Sequence, residues 1–103
     1  MIKFNGIIVN KNIKKLDLSY TKLSHLQVEI GQLTQLTELN VSCNNLRHLP
    51  EEIWQLKHLT KLNLSYNQIT HLPVEIGQLI QLTELNLYNN YLIHLQLEIE
   101  QLK

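Results

Sequence analysis

Residues 62–73 read LNLSYNQITHLP, and residues 39–50 read LNVSCNNLRHLP, with the same or a similar residue at most positions. Weaker copies occupy residues 16–27 and 85–96. The copies begin at Leu16, Leu39, Leu62 and Leu85, so the period is 23 residues. Self-similarity at a fixed period of this size indicates a repeat architecture, in which each unit packs mainly against its neighbours.

A second phrase completes each repeat. It reads VEIGQL at 28–33 and 74–79, EEIWQL at 51–56 and LEIEQL at 97–102. Together the two phrases match L-x-x-L-x-L-x-x-N-x-L followed by L-P-x-x-I-x-x-L, so the chain resembles the leucine-rich repeat family from about Ile7 to Leu102. The resemblance is to the subtype found in bacterial repeat proteins and in intracellular scaffolds related to Ras and cell-polarity signalling. It implies a solenoid fold and, as function, the binding of a partner.

The pattern within each repeat predicts its secondary structure. Apolar and polar residues alternate around each Leu-x-Leu, which predicts strands over about 14–19, 37–42, 61–65 and 83–88. Long crossovers force these strands to pair in parallel, and segments such as 28–33 have room only for a helical or 3₁₀ turn. The predicted fold class is α/β: a leucine-rich repeat solenoid, coiled to the right, with a parallel sheet on its concave face and short turns on its convex face.

The whole chain, residues 1–103, is predicted to form a single domain of about four repeats. Gln27 and Gln96 replace the prolines Pro50 and Pro73 of the inner repeats, so we expect partial polar caps at 1–12 and 94–103. One polar column, occupied by Thr21 in the first repeat, is predicted to point inward and bond the loop backbone in the others: Asn44, Asn67 and Asn90.

Charge and cysteine content exclude several kinds of partner. Lys plus Arg and Asp plus Glu each total 9, so we expect neither nucleic acid nor a membrane surface as a ligand. Cys43 is the single cysteine, which rules out an internal disulfide. The apolar run at 1–10 is too short for a signal peptide or a membrane span, which predicts a cytoplasmic location or delivery by a route other than Sec.

The exposed face of the sheet is the predicted partner-binding surface. Parallel strands lie about 4.8 Å apart, so equivalent residues of successive repeats form columns across it. One column alternates in charge and is expected to form ion pairs between strands, while the others carry amide, hydroxyl or phenol groups suited to a polar partner. The predicted binding residues are Lys15, Asp17, Glu38, Asn40, Ser42, Lys61, Asn63, Ser65, Tyr66, Glu84, Asn86 and Tyr88.

A histidine column leaves three interpretations open. Its members are His25, His48, His71 and His94. Adjacent imidazoles could bind a metal, or could repel one another once protonated below about pH 6.5, or could be surface polarity copied with the repeat. Neither a carboxylate nor a thiol recurs beside each histidine, so copied polarity is the preferred interpretation and no metal site is predicted.

The sequence therefore favours a non-enzymatic module that binds a protein or peptide on its concave face, with no cofactor. The alternative is a self-assembling scaffold unit, a homo-oligomer that pairs through the uncapped C-terminal edge strand near Leu85. An enzyme is disfavoured because the chain contains no glycine-rich phosphate loop, nucleophile elbow or zinc-helix motif.

Overall fold

The computed structural model describes residues 1–92. Within this range the chain forms the strands β1 (Ile2–Phe4), β2 (Ile7–Val9), β3 (Lys15–Asp17), β4 (Glu38–Asn40), β5 (Lys61–Asn63) and β6 (Glu84–Asn86). A 3₁₀ helix follows each of β3, β4 and β5: η1 (Val28–Gln32), η2 (Glu51–Gln55) and η3 (Val74–Gln78). The predicted alternation of strand and short turn is confirmed.

Four of the strands form one parallel sheet in the order β3-β4-β5-β6. Each residue pairs with its equivalent in the next repeat, as Leu39 does with Leu62 and Leu62 with Leu85. The strands are three residues long and thus shorter than predicted. They end early because the last side chain of a strand bonds the backbone two residues on, as Asn40 Oδ1 accepts from the Ser42 N–H at 2.9 Å.

The core lies between the sheet and the 3₁₀ helices. Each 3₁₀ helix buries the Ile of its phrase, and the Leu columns on either side continue the same apolar layer along the coil. Because no repeat can cover this layer alone, stacking is the main source of stability. Its fully buried aliphatic members are Ile30, Leu33, Leu36, Val41, Leu46, Ile53, Leu56, Leu59, Leu64 and Ile69.

An asparagine ladder bonds each repeat to the one before it, as predicted. The Nδ2 group of Asn67 donates to the carbonyls of Val41, Leu64 and Ser65, and its Oδ1 accepts from the Leu46 N–H at 3.0 Å. Asn44 and Asn90 make the equivalent bonds in their own repeats. These side chains satisfy loop groups that would otherwise be buried without partners.

A β-hairpin covers the N-terminal end of the coil, in the region predicted as a partial cap. β1 and β2 pair antiparallel around Asn5 and Gly6, which have φ of 48° and 75°. Asn-Gly between two apolar triplets is a strong hairpin signal, so this hairpin could have been predicted from the sequence. Phe4 is 2% exposed, so the hairpin closes the first turn of the core. The cap predicted at 94–103 lies outside the described residues.

Hydrogen bonds between Asn5 and Gln27 attach the hairpin to the first repeat. The Gln27 N–H donates to Asn5 Oδ1 at 2.9 Å, and the Asn5 N–H donates to Gln27 Oε1 at 2.7 Å. Asn5 Nδ2 also donates to the His25 carbonyl. Proline has no N–H to donate, so this contact explains why the first repeat has Gln27 where the inner repeats have Pro50 and Pro73.

Candidate partner-binding surface

The exposed face of the sheet forms a groove of about 760 Å³. Its rim and floor come from equivalent positions of all four strands, because the register brings each column together. It contains eight of the twelve predicted binding residues: Lys15, Asp17, Glu38, Asn40, Lys61, Asn63, Glu84 and Asn86. The sequence prediction missed Thr83, whose hydroxyl donates to the Thr60 carbonyl at 3.2 Å.

Alternating charges run across the groove. Lys15 Nζ lies 3.5 Å from Glu38 Oε2, and Lys61 Nζ lies 3.2 Å from Glu84 Oε2. The bond from Glu84 raises the pKa of Lys61, and the nearby charge of Glu38 adds to this. Both pairs are well exposed, so each adds little to the stability of the fold. The predicted ion pairs between neighbouring strands are present, and their charged groups remain accessible to a partner.

The second column of the groove combines a structural bond with an open donor. Asn63 Oδ1 accepts from the Ser65 N–H at 3.0 Å, and Asn40 and Asn86 repeat this bond. Within residues 1–92 their Nδ2 groups make no hydrogen bond, so each can donate to a ligand. Asp17 holds the equivalent turn, and bonds from the hydroxyl and then the backbone of Ser19 lower its pKa.

Ser42 and Ser65 are not part of the open surface, which corrects the sequence prediction. Each is only 6% exposed, and the Ser65 hydroxyl donates to Asn63 Oδ1 at 2.7 Å. The predicted alternation assumed that the strand continued through these positions. The N–H groups of Ser42 and Ser65 instead bond Asn40 Oδ1 and Asn63 Oδ1, and both serines lie buried in these turns. We therefore remove both from the candidate surface.

Tyrosines form a ridge along one side of the groove. Tyr20, Tyr66 and Tyr88 are 80%, 49% and 67% exposed. The rings of Tyr66 and Tyr88 pack edge to face, with centroids 5.6 Å apart and an interplanar angle of 68°. Tyr20 lies beside Cys43, and a hydrogen bond to this side chain raises the pKa of the Tyr20 phenol. The three phenols define the tyrosine ridge.

The backbone beneath the ridge is in the left-handed region. Tyr20, Cys43 and Tyr66 have φ of 57°, 57° and 56°, and the equivalent Asn89 has 60°. Asn adopts this conformation readily, whereas a bulky residue loses about 1 kcal/mol or more. Backbone bonds such as Tyr66 N–H to Tyr88 C=O, at 2.8 Å, hold the position. The tyrosines are thus retained at two positions where Asn would be less strained.

The histidine column does not form a metal site in the described part of the chain. His25, His48 and His71 are exposed. Among residues 1–92, no three His, Cys, Asp or Glu side chains are grouped closely enough to hold a metal ion. His25 Nδ1 lies 3.0 Å from Ser24 Oγ, and His71 Nδ1 lies 3.0 Å from Thr70 Oγ1. His94, the fourth member of the predicted column, lies outside the described residues.

Comparisons with known proteins agree with this geometry. A family model described as leucine rich repeat matches residues 34–92. A leucine-rich repeat protein of Leptospira interrogans has a similar structure, with a TM-score of 0.76 and 46% identity over 90% of this chain and 30% of that chain. An internalin of Listeria monocytogenes, InlF, matches at a TM-score of 0.65 and 22% identity over 76% of this chain and 22% of its own, which supports the fold alone.

The functional domain of the Listeria monocytogenes protein InlJ, described as including a cysteine ladder, also matches. Its TM-score is 0.58, with 31% identity over 81% of this chain and 20% of that chain. A search of curated proteins found no significant match. The chain therefore spans less than a third of the length of each of these three structural relatives.

The chain belongs to the leucine-rich repeat family, and its fold is a leucine-rich repeat solenoid. Domains of this family are generally protein–protein interaction modules and are typically not enzymes. In residues 1–92, no helix has the length and apolar character needed to cross a membrane.

Proposed function

We propose that this chain binds a protein or peptide in its concave groove, without catalysis and without a cofactor. The observation that carries the proposal is the juxtaposition of an open polar groove with the tyrosine ridge along its side. Amide donors in the groove can bond a peptide backbone, while exposed phenols supply the amphipathic contact area that dominates many interfaces. A polar partner fits this surface better than an apolar small molecule, nucleic acid or a membrane.

Backbone strain supports a role for the tyrosine ridge in binding. Tyr20 and Tyr66 occupy left-handed positions, and the equivalent position of the fourth repeat has Asn89, a residue type that adopts this conformation more readily. A largely exposed phenol in such a position gains little from burial within the chain, which supports a role in contact with a partner. The candidate binding residues are those of the groove together with Tyr66 and Tyr88.

The proposal can be tested without a known partner. Peptides selected from a random display library would be titrated into ¹⁵N-labelled protein, with resonance shifts expected along β3 to β6 and not in η1 to η3. Asn63→Asp is the sharpest variant, because Asp17 shows that a carboxylate can hold the same turn. It replaces the Nδ2 donor with a carboxylate oxygen and adds a negative charge, and we expect affinity to fall by about fivefold or more.

Lys61→Gln is the second variant, and Lys57→Gln is its matched control. Lys57 is an exposed cation outside the groove lining, so losing its charge should leave peptide affinity within about twofold. Selected peptides that shift only the convex 3₁₀ helices, or that bind both groove variants as tightly as the unaltered protein, would contradict the proposal.

Self-association through β6 is a second candidate, supported by the sheet order. Within residues 1–92, β6 pairs only with β5. The Asn86 carbonyl accepts from the Leu64 N–H, so Asn86 faces β5, whereas the N–H groups of Leu85 and Leu87 face away from it. Those outward groups could pair with a strand of another copy.

Hydrogen exchange tests this candidate without disturbing the sheet. If copies pair through β6, the amides of Leu85 and Leu87 become protected as protein concentration rises, and light scattering shows a rising molar mass. A constant monomer mass with unchanged exchange at both amides would exclude it. A proline at Asn86 is unsuitable, because it would remove an N–H that faces β5.

A further inference from the structure

A second concavity, of about 490 Å³, shares no lining residue with the groove. It lies in the loops between the sheet and the 3₁₀ helices of three successive repeats. Its lining residues are Ser24, His25, Asn45, Arg47, His48 and Gln68. All six are polar, three can carry positive charge, and none is acidic. We call it the loop cleft.

Backbone bonds hold the three loops of the cleft in register. The Asn45 N–H donates to the Leu23 carbonyl at 2.8 Å, and the Gln68 N–H donates to the Leu46 carbonyl at 2.8 Å. Asn44 and Asn67 bond the same loops from the inside. The lining side chains therefore project from a fixed frame, which lowers the entropy lost when they bind a ligand.

Arg47 departs from the repeat at the centre of the loop cleft. In the repeats on either side, Ser24 and Thr70 occupy this position, and their hydroxyls lie 3.0 Å from the next imidazole. The second repeat instead has the only arginine of the chain there. Duplication of the repeat explains why the histidines recur. It does not explain why one repeat has Arg47 beside its histidine.

The donors of the loop cleft suit an oxyanion. Arg47 offers a planar fork of N–H groups, the geometry that binds phosphate through two bonds at once. If the Ser24 hydroxyl donates to His25 Nδ1, the proton of the neutral ring is on Nε2, which can then donate to a ligand. The Asn45 and Gln68 amides add further donors. We propose that the loop cleft binds a phosphate group, either the free ion or a phosphate monoester.

The test uses ¹⁵N- and ¹³C-labelled full chain titrated with inorganic phosphate and, separately, with O-phosphoserine at constant ionic strength. We expect saturable shifts of the Arg47 Nε–H and of the His25 and His48 ring signals, with His58 unmoved because it lies outside the cleft lining. Arg47→Gln should weaken binding by about tenfold or more. Lys57→Gln, which removes the same charge at an exposed site outside the lining, should change it by less than about twofold.

Tighter binding of O-phosphoserine would assign the site to a phosphorylated side chain, and tighter binding of inorganic phosphate would assign it to the free ion. Thermal unfolding of Arg47→Gln, an exposed position, confirms that the variant is folded. The proposal is overturned if neither probe moves the Arg47 and histidine signals. It is also overturned if Arg47→Gln and Lys57→Gln weaken binding equally, since that result describes general charge attraction.

Discussion

The inner repeats and the first repeat use different residues to hold their loops in place. Asn67 reaches back to bond the loop of the repeat before it, whereas Thr21 at the equivalent position donates to Leu18 within its own repeat at 2.7 Å. In the structure a hairpin, rather than another repeat, packs against the first repeat, and it is attached through Gln27. The asparagine column thus adds contact between repeats to the bonds that shape each loop.

Among the variants that test this comparison, removal of an inner residue of the asparagine ladder should lower the stability of the fold most. Asn67→Ala leaves the Leu46 N–H without its acceptor in a site that is 5% exposed. Three carbonyls also lose one donor, although each keeps a second one from Asn44, Asn90 or the Cys43 N–H. We expect the free energy of unfolding to fall by about 3 kcal/mol, measured by chemical denaturation. Asn45→Ala, at an exposed neighbouring position, should change it by no more than about 0.5 kcal/mol. Equal losses in the two variants would contradict the role assigned to the ladder.

The second largest loss of stability is expected at the contact between the 3₁₀ helices η1 and η2. A β-carbon on Gly31 would lie 2.7 Å from Glu52 Cβ and 3.2 Å from the Glu52 carbonyl oxygen, so Gly31→Ala forces η1 and η2 apart. We expect a loss of about 1–3 kcal/mol in a thermal or denaturant unfolding experiment. Gln32→Ala is the control, at an exposed position of the same 3₁₀ helix. A stability equal to that of this control would show that the turns separate without cost.

The hairpin attachment should have a smaller effect. Gln27 has φ −73° and ψ 155°, close to the −67° and 147° of Pro50, so Gln27→Pro fits the backbone and loses only its bonds to Asn5. We expect a loss of about 1 kcal/mol, because water can reach the exposed groups that are left. An Asn5→Gly background suits the turn and removes the Oδ1 acceptor, but it keeps the backbone N–H that donates to Gln27 Oε1, so the same change should cost less there. Additive losses in this double-mutant cycle would reject the pairing.

The smallest change in stability is expected for Asp17, in the first strand of the groove. Bonds from Ser19 lower the pKa of Asp17, so its carboxylate adds stability above the unfolded value of 3.8, and this contribution is lost as pH falls through the folded value. The unaltered protein should exceed Asp17→Asn in stability by less than about 1 kcal/mol near pH 7, since the group is exposed. Denaturation repeated at a series of pH values below 3.8 should show the difference shrinking as pH falls; a constant difference would contradict the linkage.

The repeat period correctly predicted the features that depend on how repeats stack. Predictions failed where hydrogen bonds within a single turn decide the structure. Columns such as Lys15 with Glu38 follow from a spacing of one repeat, and the structure has them in that register. Burial of Ser42 could not be predicted from alternation, because the bond from Ser42 to Asn40 ends the strand there. The hairpin was missed although Asn5 and Gly6 signalled it. The repeat pattern does not predict an arginine at the position of Arg47. The loop cleft could be recognised only from the structure, in which three loops pack side by side.

The alternating charge column also constrains how such an array can change in length. Lys15, Glu38, Lys61 and Glu84 alternate in sign from strand to strand. Deleting one inner 23-residue unit would place two lysines or two glutamates on neighbouring strands, where like charges repel. Deleting or inserting two adjacent units keeps every neighbour opposite in sign. Within the array, a coil with this column therefore changes length most readily by two repeats at a time.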